Sequence, residues 1–250
     1  MRTLLALAVA VCLTRTMAWG QQASAQKSSP AMLLKQLNSD EPVVRNDALK
    51  ELRRNPAALR DTRIKSTLVK LLDRENHVPL DSDDEGYAEY VGWLTEAVVK
   101  VVDWNDQAQV CILANTVYLP KELADHAKTS VPCLFQAFKV ASDRHRGSVM
   151  ASIASAFAKV RSGPDHVTSQ EIQQTMLAEL NDPDAKVRSA TAWIIGQSGG
   201  EDMIPALKAV AETDPAPEVN GKSVRKRANE AIEEIQKRAT ASNSVMPKSK

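Results

Sequence analysis

The chain has 250 residues, of which 43% are hydrophobic, 25% charged and 4% aromatic, and its formal net charge is +1. That length holds one extended array or one to two compact domains, and the balance of acid and base gives none of the basic field that nucleic-acid binding needs. Few aromatics among many Ala, Leu and Val suit thin helix–helix interfaces better than a β-sandwich.

Residues 1–25 read as a secretory signal: Arg2 is a short positive start, Leu4–Leu13 an apolar run too short to span a bilayer, and Ala23-Ser24-Ala25 an A-x-A cleavage site that predicts a mature start at Gln26. A rival cut follows Gly20, and Val11 stands before Cys12 where a lipoprotein signal wants a small residue. No later stretch is long and apolar enough to cross a membrane, so the expected location is periplasmic or secreted, with no span after signal removal. Residues 26–29 form a short polar linker.

From residue 30 to 239 the apolar spacing is helical, and no strand pattern emerges. Pro30–Asn38 and Glu41–Asn55 make a first pair, closed by Asn55-Pro56. Thr62–Asp73 follows, with Ile64, Leu68, Leu71 and Leu72 on its buried side; an acid-rich interruption precedes Tyr87–Asp103, whose inward residues are Val91, Leu94, Val98 and Val101. Trp104–Val117 is a further helix, and Glu122–Ala127 a short helix or turn. Val131–Ser142 pairs with Arg144–Arg161, with Pro132 near an N-terminus, and Ser162–Asp165 breaks the pattern. Ser169–Asn181 with Ala185–Ser198, then Met203–Glu212 with Ser223–Ala239, complete the series. Residues 240–250 carry almost no apolar side chain and read as a disordered tail.

The pairs share a frame. Twelve and eight residues before Arg188 stand Met176 and Leu180; three and seven after it stand Thr191 and Ile195. Arg45 has Leu33, Leu37, Ala48 and Leu52 in the same places, Arg146 has Leu134, Phe138, Val149 and Ile153, and Arg225 keeps only Ala228 and Ile232. Each four-residue step puts two side chains on one helix face, and two such helices joined by a tight turn form a hairpin that must stack on its neighbours to bury both faces. Asp182-Pro183 and Asp40-Glu41-Pro42 place a capping acceptor next to a proline suited to a first helical turn, and Gly199-Gly200 suit a positive φ at a helix end.

In Asp182-Pro183-Asp184-Ala185-Lys186-Val187-Arg188, followed by Ala190, Ala192, Trp193, Ile195 and Gly196, and again in Asp40 to Leu52, the chain resembles the HEAT-like repeat family, including the shorter variety found in phycobilin lyases. The resemblance implies an all-α α-solenoid of roughly five stacked antiparallel helix pairs, in which Asp40, Arg45, Asp182 and Arg188 hydrogen-bond at the turns along the stack.

Several motifs bear on chemistry. Gly196-Gln197-Ser198-Gly199-Gly200 matches the nucleophile-elbow pattern, but that turn needs a strand before the serine and here a helix precedes it. Asp81, Asp83 and Glu85 alternate as in a calcium loop, with Gly86 sixth, yet Gly92 stands where the bidentate glutamate belongs; the run is a weak metal site or a solvated acidic cap on the next helix. Cys111 and Cys133, the cysteines left after signal removal, form a disulfide in an oxidising compartment or are buried thiols. The four histidines show no zinc spacing, and Arg225-Lys226-Arg227 is followed by acids that allow a Lys226–Glu230 pair. Tyr87, Tyr90 and Trp93, near Trp104, are core where buried and a binding hot spot where exposed. The expected function is a non-catalytic scaffold that binds a protein partner through its curved face, in the cell envelope or outside the cell, using no cofactor and no nucleic acid. A lyase-related protein acting on a chromophore, or a calcium-stabilised envelope component, are the alternatives.

Overall fold

The computed structural model describes residues 28–78, 85–163, 166–218 and 223–244. Among them it is all-helical: α1 (Pro30–Leu37), α2 (Pro42–Arg54), α3 (Thr62–Glu75), α4 (Glu85–Val99), α5 (Gln107–Ala114), α6 (Ala127–Val140), α7 (Asp143–Ser162), α8 (His166–Glu179), α9 (Ala185–Ser198), α10 (Ile204–Thr213) and α11 (Val224–Ser244). Short 3-10 turns occupy Pro56–Arg60, Lys121–His126 and Glu201–Met203. The expected signal, the residues Asp81 and Asp83, and the chain after Ser244 lie outside the described residues.

Local chemistry sets the boundaries. Ser29 accepts the Met32 N–H, and Asp61, Asp106 and Asp184 accept the N–H two residues on at 2.8, 3.0 and 2.8 Å. These side chains satisfy donors that a helix start leaves orphaned. Pro42 takes a first-turn position of α2, but Glu41 makes no side-chain cap bond. Pro183 sits in the turn before α9 instead of inside it, because the cap is Asp184.

Several expected boundaries move. α4 ends at Val99, and the helix expected from Trp104 shrinks to α5, because Asp106 caps it late. α6 begins at Ala127, which leaves Pro132 inside the helix. One lost backbone bond there is offset by the burial of Val131, Cys133, Leu134 and Phe135. α11 runs to Ser244, past the expected start of the tail. Once Ile232 and Ile235 anchor that helix in the core, each further residue needs only propagation, not apolar burial. Gly199 and Gly200 have φ of −74° and −115°, not a positive φ.

The substantial contacts join each helix to those one or two places along the chain. α1 packs on α2 and α3, α2 on α4, α3 on α4 and α5, α5 on α6, α6 on α7 and α8, α7 and α11 on α9, and α10 on α11. Taken in chain order the helices form pairs, each with a first and a second helix, and all share one apolar core that runs from Leu33 to Ile235. After α5 the second helix's place is taken by a bent run at 115–120 and the 3-10 turn, which packs on α6 and α7. Thr116 is buried there, and its hydroxyl meets that of Thr95 on α4 at 3.2 Å. Beside this irregular unit a disulfide joins Cys111 of α5 to Cys133 of α6, with Cα atoms 4.7 Å apart. At the C-terminal end α9 and α11 approach so closely that a Cβ on Gly196 would stand 2.9 Å from Ala231.

Candidate interaction surface

Carbonyls at the end of a helix and in the turn after it lack intrahelical donors. In two units an arginine supplies them. Arg45 Nη1 donates to the Ser39 and Asp40 carbonyls at 2.8 and 3.0 Å; Arg188 Nη1 donates to those of Asp182 and Pro183 at 2.8 and 3.0 Å. Each guanidinium also reaches an acid at the end of the first helix of the next pair. Arg45 Nη2 meets Glu75 at 3.4 Å, and Arg188 meets Asp214 through Nε and Nη2 at 2.6 and 3.1 Å. Arg225 performs the carbonyl half of this task, donating from Nε to Asp214 O at 2.7 Å.

The acids that meet these arginines are Glu75 and Asp214, while Asp182 bonds along the stack to Lys139 of α6. Asp40 contributes only its backbone carbonyl. The Asp182 carboxylate holds Lys139 at 2.8 Å and accepts the Asp184 N–H at 2.8 Å. Burial works against ionisation of Asp182, yet Lys139 and the turn amide hold it below the usual carboxylate range. Asp214 is likewise held down, first by the Arg188 bond. No fixed spacing marks these partners in the sequence: Glu75 follows Arg45 by 30 positions and Asp214 follows Arg188 by 26.

The aromatic cluster divides. Tyr90 is 1% exposed and belongs to the core, so it is not a surface contact. Its hydroxyl accepts from Arg45 Nε at 2.9 Å and donates to Glu75 at 3.3 Å. Burial, reinforced by Glu75, pushes its phenol up to about 12, which keeps the proton available for that bond. Tyr87 is half-buried and donates to the other Glu75 oxygen at 2.9 Å; burial and the carboxylate raise its phenol too. Trp93 alone of the three keeps a partly exposed ring outside this network, with Lys50 Nζ 5.1 Å and Arg53 Cζ 5.9 Å from its centroid. Trp104 stacks on His126 at 4.1 Å.

A second partly exposed tryptophan lies on α9, also the second helix of its pair. Trp193 of α9 lines a cavity of about 260 Å³ shared with α11, beside Gln197, Arg227, Glu230 and Glu234. Arg227 takes Glu230 at 2.9 Å, in place of the expected Lys226–Glu230 pair.

The remaining motifs resolve as structure. Ser198 donates to the Ala154 carbonyl at 2.8 Å, and a Cβ on Gly199 would lie 2.6 Å from Ile195 O. The elbow-like pattern is the C-terminus of α9, whose Gly196 and Gly199 carbonyls take Arg238. Glu85 opens α4, and no cluster of metal-binding side chains occurs among the described residues. Burial lowers the pKa of His145, against the opposing pull of a bond to the Thr116 backbone. Compared with known proteins, the chain matches no family model and no curated sequence.

Proposed function

We propose that the chain is a HEAT-like α-solenoid, without catalytic chemistry of its own, that binds a protein partner through the outward face of its second helices in the cell envelope or outside the cell. Neighbour-only packing supports the solenoid reading, because stacked pairs need contacts only with adjacent pairs and leave a long face unpartnered. The leader-like start and the Cys111–Cys133 bond support an oxidising location. The observation that carries the binding role is that Trp93 and Trp193 stand partly exposed among charged side chains, each on the second helix of its pair. Tryptophans set in a polar rim are the residues that dominate protein interfaces.

Photo-crosslinking tests this. A benzophenone amino acid placed at Trp93 or Trp193 is expected to trap one protein partner, and the same group at Lys70, on the first helix of a pair, is not. Equal trapping from all three positions, or none from the tryptophan positions of a folded chain, refutes the proposal.

A further inference from the structure

A cavity of about 540 Å³ opens at the edge where first helices turn into second helices, between the ends of α6, α7, α9 and α11. Its apolar wall includes Phe138, Met150 and Val224. Among the described residues, the charged side chains that line it are the cations Arg146, Lys186 and Arg227. Arg146 lies over the Phe138 ring, 5.8 Å from its centroid, so charge and apolar surface adjoin directly.

These features select a ligand. The volume falls in the range of specific small sites, and the opening to solvent admits a segment of chain. Lys186 and Arg227 bring positive charge to the opening, which the N-terminal ends of α9 and α11 reinforce. Arg227 shares Glu230, but both side chains are at least a third exposed, at 34% and 46%. Solvent screens such a pair, so an incoming carboxylate exchanges with it at little cost.

We propose that this groove takes an acidic peptide segment of the protein partner, with carboxylates on Lys186 and Arg227 and one leucine or phenylalanine side chain against Phe138, Met150 and Val224. The inference rests on the scaffold reading above and names the chemistry its partner presents.

The probe is a fluorescein-labelled Glu-Asp-Leu-Phe-Glu-Asp peptide, capped at both ends, titrated by anisotropy into the full chain. Serine-for-acid and lysine-for-acid versions and inorganic phosphate are its comparisons. The acidic peptide is expected to bind, to weaken as salt rises, and to lose about tenfold in affinity in Lys186→Glu. Ser189→Trp, which fills the groove without changing its charge, is expected to block it as well. Both variants must melt as the parent does. Equal binding by parent and both variants, equal binding of the serine peptide, or displacement by phosphate at the peptide's own concentration overturns the inference. Failure of the peptide with tryptophan crosslinking intact removes this groove alone; failure of the crosslinking removes the scaffold reading beneath it.

Discussion

Replacing Arg188 by methionine tests whether the turn arginines hold neighbouring helix pairs together. Methionine keeps most of the side chain's length and apolar contact but none of its donors. The change strands the carbonyls of Asp182 and Pro183 and removes two bonds from the Asp214 carboxylate. That carboxylate is 3% exposed and keeps the Ala216 N–H at 2.9 Å. Breaking a buried ion pair from one side costs about 3–5 kcal/mol, and that range applies here because the orphaned group is the acid. Asp214→Asn keeps an acceptor for the guanidinium and is expected to cost less, about 1–3 kcal/mol. Urea unfolding of parent, both single variants and the double variant gives the coupling directly. The acid limb gives a second readout. Asp214 has a lowered folded pKa, so its contribution is present above the unfolded value of about 3.9 and disappears as pH falls through the folded one. Arg188→Met is expected to flatten that limb. A loss under about 1 kcal/mol with an unchanged m-value, or an acid limb as steep as the parent's, refutes the role assigned to Arg188.

Other perturbations probe other joints. Gly196→Val forces branched carbons into Ala231, 2.9 Å from the nearest Cβ position, and is expected to cost at least the 1–3 kcal/mol or so of an overpacked core, read as a fall in urea midpoint. Cys111→Ser with Cys133→Ser opens a crosslink spanning 22 positions, worth about 3 kcal/mol in the chain-entropy account; a reducing agent is expected to lower the Tm of the parent and not of the double variant. His145 has a folded pKa lowered by burial, so the neutral ring's contribution is full above the unfolded value of about 6.5 and is lost as pH falls below it. His145→Gln is expected to reduce the drop in Tm between neutral and mildly acid buffer.

The element pattern was legible because burial follows helical spacing so closely. Ile64, Leu68, Leu71 and Leu72 read as one face, and all four are core. The boundaries were less legible where a neighbour, not the segment itself, decides them. Pro132 reads as a helix start from its own chemistry, and only packing against α5 and α7 makes an interior proline tolerable. Gly199-Gly200 reads as a left-handed cap, whereas the real demand is steric: Ile195 O crowds the Cβ position of the first. The irregular unit after α5 had no frame to detect, since a bent run and a 3-10 turn leave no four-residue step.

The same distinction explains what sequence reading found and missed at the turns. Arg45 and Arg188 were visible because their work is local, on carbonyls five and six residues back. Their acids were not, because the guanidinium bridges to the next pair and the partner's position depends on the length of everything between. Glu75 and Asp214 close that distance with different residue types and different spacings, 30 and 26. What persists from one pair to the next is therefore a geometric requirement and not a residue: an acid must stand at the end of the following first helix, near the place an arginine fork reaches. The aromatic cluster obeys the opposite logic. Tyr90 and Trp93 lie three apart on one helix, yet Tyr90 is buried against Arg45 while Trp93 keeps an open ring beneath Lys50 and Arg53. Spacing placed both in the cluster; only α2 packed alongside α4 decides which one is buried and which keeps an exposed ring.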